Sequence, residues 1–234
     1  MKHSSLVKHH AKGGAYLKDV VYGANDGIIT TFAIVAGVAG AGVENTIVIL
    51  LGLANLFADG FSMAASNYLG SKSERAYILR ERVAEELELT EEPEVEHAEM
   101  FGFLRRKGYT KKDTEAFLPL LSKNKEFWLD VMMQEELGIA PLDANSTPIR
   151  AASATFFSFT AAGAVPLIPY FFISTGSVFT VAACSTAAML FIVGASRSLL
   201  TGQRWYLAGL EMLFVGGIAS LIAYGVGYGV SLVV

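Results

Sequence analysis

The sequence predicts an all-α integral membrane protein, with five transmembrane helices and a small helical cytosolic domain inserted between the second and the third. Three observations carry that prediction. Hydrophobic residues make up 53% of the chain and charged residues only 17%, below the roughly 25% charged content of soluble domains. The charges are segregated, leaving apolar runs of the length a bilayer requires. All 18 Lys and Arg fall within residues 1–18, 72–150 and 197–206, which are alternate connections of a five-span chain.

The spans follow in order. Between Asp19 and Glu44 the only charged side chain is Asp26, and between Glu44 and Lys72 it is Asp59. Each interval holds the about 20 helical residues needed to cross about 30 Å of hydrocarbon. Residues 151–196 carry no charge and are too long for one span; Ser174, Thr175, Gly176 and Ser177 supply a turn that divides them into the third and fourth. The uncharged run from Met212 to Val234 is the fifth. The placement of bases puts the N-terminus and the inserted domain in the cytosol and the C-terminus on the opposite side. The expected organisation is therefore a cytosolic segment over 1–18, two spans over 19–71, the inserted domain over 72–147 and three spans over 148–234. Residues 1–18 lack the apolar core and cleavage site of a secretory signal, so a prokaryotic plasma membrane is the expected location, with a vacuolar membrane giving the same topology. The single Cys184 offers neither a disulfide nor a thiolate metal site within one chain.

Within the inserted domain, the second span is expected to continue without a break through residues 73–89 until Pro93 interrupts it. A helix over 94–107 should end at Gly108, whose lack of a Cβ suits a left-handed cap. Thr110 and Asp113 have the spacing of a capping box and open a third helix. A fourth over 125–137 ends at Gly138.

Residues 81–99 hold nine Glu and one strong base, Arg82. Glu85 with Glu88, and Glu96 with Glu99, are pairs spaced to share a helical face. Such a run is most often a solvated acidic face. Like charges this close repel unless a cation lies between them, and on the fourth helix Met132, Met133 and Glu136 add thioethers and a carboxylate. Carboxylates suit hard ions and thioethers softer ones, so a mixed set points to Fe²⁺ rather than Ca²⁺ or Mg²⁺. His97 could join the set. In the spans, a carboxylate near the bilayer centre costs about 2.5–3.5 kcal/mol on insertion scales, so Asp26 and Asp59 are candidate transport residues. Met63 lies one turn beyond Asp59, and Asn25, Asn55 and Ser62 add oxygen ligands. Gly37, Gly40 and the Gly225/Gly229 pair would allow close helix packing, and Pro166 and Pro169 would open backbone carbonyls in the third span.

The stretches DVVYGANDGIITTFAIVAG (19–37), GLANLFADGFSMAASNYLG (52–70) and FWLDVMMQEELG (127–138), with the Glu-rich helix and residues 163–169, resemble the vacuolar iron transporter family over most of the chain. The resemblance implies a homodimer with an ion pathway at its interface, in which a membrane Asp and Met match Asp26 and Met63. It also implies a cytosolic metal-binding domain whose ligands match Glu85, Glu88, Glu96, Glu99, Met132, Met133 and Glu136. The implied activity is exchange of cytosolic Fe²⁺, sometimes Mn²⁺, for protons. One departure stands out: Asn55 occupies a place where some members carry Glu. The expected partners are the lipid bilayer, a second copy of the chain, protons and divalent ions (Fe²⁺, with Mn²⁺, Zn²⁺, Co²⁺ or Ni²⁺ as further candidates), with no prosthetic group and no nucleic acid. The alternative is a membrane-anchored iron sensor or store. An enzyme is not expected, because the sequence has no H-E-x-x-H group and no nucleophile motif.

Overall fold

A computed structural model describes residues 16–140, 146–173 and 177–233. Among them all regular structure is helical: α1 (Leu17–Gly40), α2 (Asn45–Glu91), α3 (Pro93–Arg106), α4 (Lys111–Leu121), α5 (Lys125–Glu135), α6 (Pro148–Gly163), a 3₁₀ turn (Val165–Leu167), α7 (Ile168–Phe172), α8 (Val178–Ser196), α9 (Ser198–Thr201) and α10 (Trp205–Ser231). Five stretches are long and apolar enough to cross a membrane: Leu17–Gly40, Asn45–Glu91, Pro148–Phe172, Val178–Ser196 and Trp205–Ser231. The chain divides into two compact units, Met1–Leu69 with Asn145–Val234, and Gly70–Ala144.

In the first unit α1 is the central helix, packed against α6, α10 and α8. Its close neighbours meet it at glycines. A Cβ on Gly27 would collide with the Phe159 carbonyl of α6, and one on Gly227 of α10 would collide with the Gly37 carbonyl. Gly225 and Gly229, by contrast, face open space, so α10 is seated against α1 through Gly227 and through the expected Gly40, where a Cβ would meet the Tyr224 carbonyl, and not through the expected Gly225/Gly229 pair. Around these contacts Phe32, Val35, Ala36, Val48, Leu167, Tyr170, Val178 and Ala182 form one buried cluster, and Ala24, Ile28, Ala162, Leu190 and Met212 another. Thr155 and Thr186 are buried in the bundle, and each donates its hydroxyl to the carbonyl one turn back, at 3.1 and 2.7 Å, which satisfies the group inside its own helix.

The third span is segmented rather than opened at its prolines. Pro166 and Pro169 occupy first-turn positions of the 3₁₀ turn and of α7, where a missing N–H costs nothing. The Ile168 and Ile173 amides still donate to Ala164 and Pro169 carbonyls. The fifth span begins at Trp205, upstream of Met212, so Glu211 lies within α10. Ser174, Thr175 and Gly176 of the expected outer turn lie outside the described residues.

The second unit follows its local signals closely. Pro93 takes the first turn of α3, and Gly108 and Gly138 adopt φ of 98° and 67° after α3 and α5, a left-handed conformation that glycine adopts at least cost. Thr110 Oγ1 accepts the Asp113 amide at 3.2 Å while the Asp113 carboxylate accepts the Thr110 amide at 3.2 Å, closing the capping box of α4. Asn124 caps α5 by accepting the Phe127 amide at 3.1 Å. Met100, Leu104, Leu118, Leu121, Trp128 and Met132 make the core.

Gly227→Leu should cost more than the about 1–3 kcal/mol typical of overpacking, because the obstacle is backbone that has no rotamer to yield. Gly225→Leu should be near neutral. The melting temperature of each detergent-solubilised variant, read by size-exclusion chromatography after heating, checks the pair.

Candidate functional site

In the inserted unit two carboxylates are buried where the local pattern places only an acidic run. Glu85, on α2, is 4% exposed and Glu96, on α3, is 3% exposed. One oxygen of each, Glu85 Oε1 and Glu96 Oε2, has no hydrogen-bond partner. Burial pushes Glu85 up from the ordinary value of 4.5 to about 7, reinforced by the charges of Glu136, Glu96, Glu88 and Glu99. Burial likewise pushes Glu96 to about 7, with Glu99, Glu136, Glu88 and Glu92 adding to it. Glu136 is raised first by burial and then by Glu99 and Glu88, with Arg106 opposing. The five glutamates expected to act together are therefore brought within electrostatic reach of one another.

Buried carboxyls without donors are costly, and a divalent cation is their chemical complement. Among the described residues no three acidic, His or Cys side chains are already drawn in closely enough to hold a metal as they stand. The two methionines diverge. Met132 lines a cavity of about 430 Å³ with Glu99, Glu136 and Arg106, whereas Met133 lines another of about 310 Å³ with Arg82 and Asp130. His97 packs edge-on against Trp128, ring centroids 4.6 Å apart.

What holds α5 beside the end of α2 is a strap of charges. Arg82 donates to Asp130 at 2.6 Å and to Glu126 at 2.5 Å, and Lys125 reaches Glu86 at 2.9 Å. Arg82, the one strong base in the acidic run, is thus spent on α5 rather than on neutralising Glu85 or Glu96.

In the membrane-spanning unit a cleft of about 620 Å³ is lined by Lys18, Asp19, Tyr22, Asp59, Ser62, Met63, Ser66 and Asn67. The α2 residues recur at three- and four-residue intervals, which puts them on one helical face. Asn55, one turn before Asp59, belongs to the same stripe; its buried Nδ2 has no partner. Asp26 lies outside the cleft lining, two turns further along α1 than Asp19, within electrostatic reach of Asp59. Asn67 donates to Asp19 Oδ1 at 2.8 Å and to Thr155 Oγ1 at 2.7 Å, tying α2 to α1 and α6. Sequence reasoning missed Asp19, Ser66 and Asn67. The seven-residue spacing from Asp19 to Asp26 and the continuation of the α2 stripe were the available signals.

Two outcomes follow. A carboxyl whose pKa is raised on folding stabilises the fold fully below its ordinary value of 4.5, and that contribution is lost as pH rises through about 7. The metal-free protein should therefore lose thermal stability progressively from about pH 4.5 to about pH 7 and level off above it, and Glu85→Gln should flatten that slope. Arg82→Ala should speed hydrogen exchange in α5 while leaving α4 amides unchanged, as peptide-resolved mass spectrometry would read.

Residues 17–228 match the model of the VIT family. The chain is 33% identical to "Vacuolar iron transporter 1" of Oryza sativa subsp. japonica over 225 residues, 95% of this chain and 88% of that one. It is 35% identical to "Vacuolar iron transporter" of Plasmodium berghei (strain Anka) over 227 residues, 93% and 83% of the two chains, and 33% identical to "Vacuolar iron transporter 1" of Arabidopsis thaliana, covering 94% and 90%. A family match across both the spans and the inserted unit, joined to relatives above 30% identity over nearly full length, settles the kinship: the chain belongs to the VIT family.

Proposed function

We propose that the protein carries Fe²⁺ out of the cytosol in exchange for protons. It works as a homodimer, with the N-terminus and inserted unit on the cytosolic side and the C-terminus opposite. Its relatives are named as iron transporters, and the observation that carries the reading is that carboxyl and thioether side chains line a common cavity in each unit of one chain, Glu99 and Glu136 with Met132 in the inserted unit and Asp59 with Met63 in the spans. In the inserted unit Glu85, Glu88, Glu96, Glu99 and Glu136, with Met132, gather the ion, while Met133 lines a separate cavity. In the spans Asp26, Asn55, Asp59 and Met63 pass it on. The oxygen-plus-sulfur set favours Fe²⁺ and tolerates Mn²⁺, Co²⁺, Ni²⁺ and Zn²⁺ to degrees set by geometry. The relatives' names favour a vacuolar membrane; a prokaryotic plasma membrane would use the same direction of transport, away from the cytosol.

Proton coupling has a direct chemical route. A carboxyl that holds a proton near neutral pH must release it to bind a cation, so the two compete for one site. With Glu85 and Glu96 titrating near 7, metal affinity of the inserted unit should tighten by roughly tenfold or more from pH 6 to pH 8, as calorimetric titration with Mn²⁺ would read. Glu85→Gln together with Glu96→Gln should abolish that dependence.

The decisive experiment is anaerobic Fe²⁺ flux in proteoliposomes holding a pH-sensitive dye. Metal movement with opposite proton movement is expected. Asp26→Ala should slow it by roughly a hundredfold, the size of losing about 3 kcal/mol of interaction with a charge, while monodispersity is retained. Metal binding without flux, or full flux in Asp26→Ala, would overturn the transport reading or the assigned path respectively.

A further inference from the structure

A second concavity in the membrane-spanning unit opens beside the Asp59 cleft and shares Lys18 and Tyr22 with it. It encloses about 520 Å³ and is formed where the start of α1, the turn after α8 and the first turns of α10 come together. Its chemistry is graded. Lys18 and Arg197 stand at the helix ends, whereas Val21, Met212 and Val215 line the part that runs into the span. From Lys18 to Asn25, which also borders it, the pocket follows α1 for about 10 Å at 1.5 Å per residue.

The charges at the mouth are not matched. Arg197 meets Glu211 at 3.6 Å, a loose pair on a half-buried guanidinium. Lys18, on the rim shared with the Asp59 cleft, has no carboxylate within ion-pair distance among the described residues. The mouth is thus left with a net positive charge at the level where the helices end. Apolar lining continues inward from it.

We propose that this pocket binds an anionic phospholipid of the adjoining leaflet, its phosphate held by Lys18 and Arg197 and one acyl chain lying along Val21, Met212 and Val215. The grading from cation to hydrocarbon along a helix is the complement of an amphiphile. Basic pockets between transmembrane helices are a recurring way to hold anionic headgroups. A free phosphate would use the two bases but leave the apolar portion unfilled, so the occupant is a lipid rather than a soluble anion. Glu211 draws Arg197 to one side and disfavours a second negative charge, which suits a headgroup with a single phosphate charge. The proposal concerns binding alone and stands or falls independently of the transport reading.

Native mass spectrometry of the full-length protein in a non-ionic detergent tests it, with dioleoylphosphatidylglycerol and dioleoylphosphatidylcholine added in parallel. The phosphatidylglycerol adduct should form with roughly thirtyfold higher affinity, the size expected of two interfacial bases. Arg197→Gln should bring it down to the phosphatidylcholine level. Val215→Trp, which fills the apolar part and keeps both bases, should remove the adduct, so a folding defect in the Arg197 variant does not leave the question open. Equal affinity for the two lipids, or a preference that survives in Val215→Trp, overturns the proposal. So does an equally strong adduct with sn-glycerol 3-phosphate, which would make this a phosphate site. If neither lipid gives an adduct, the proposal fails.

Discussion

A carboxylate removed from water needs a positive partner, and much of this molecule's chemistry follows from meeting that requirement incompletely. Glu85 and Glu96 sit among like charges, each with one oxygen unpartnered, while Arg82, the one strong base in the same acidic run, is committed to Asp130 and Glu126. The electrostatic deficit is therefore built in and not incidental. It lets two glutamates hold protons near neutrality, and it makes a divalent ion an effective stabiliser of the same group of side chains.

The membrane-spanning unit handles its polar groups differently. Asn67 takes Asp19 and Thr155 as partners, and Thr155 and Thr186 bond back to their own helices. These contacts satisfy groups that would otherwise be stranded between helices, where water cannot reach. Asp59 and Met63 are left on the wall of a cleft, with Ser62 and Ser66 on the same face of α2. Side chains that fix the scaffold and side chains that face open space thus alternate along a single helix, a turn or less apart.

Local signals were legible because they act over a few residues. Pro93, Gly108, the Thr110–Asp113 box and Gly138 each mark a helix end by their own stereochemistry, and the structure uses all four. The spans were legible because a charge in hydrocarbon is costly. What could not be read was rotation about a helix axis. Glu85 and Glu88 share a face by spacing, yet only Glu85 is buried, because α3 and α5 decide which part of that face is covered. Met132 and Met133 are adjacent in sequence and line different cavities for the same reason. Among Gly225, Gly227 and Gly229 the spacing favours the outer two, but the partner backbone of α1 selects the middle one. Asp19 went unnoticed because a charge at a span boundary is ordinary, and only its bond to Asn67 sets it apart.

The meeting of Gly227 with Gly37 joins main chain to main chain. Most helix contacts can absorb strain by changing side-chain torsions, so they deform gradually. This one has no torsions to change. It behaves as a fixed bearing: α1 and α10 are either seated at that point or separated, without a graded state between. A rearrangement in the bundle that leaves that pair together would be taken up where contacts run through side chains.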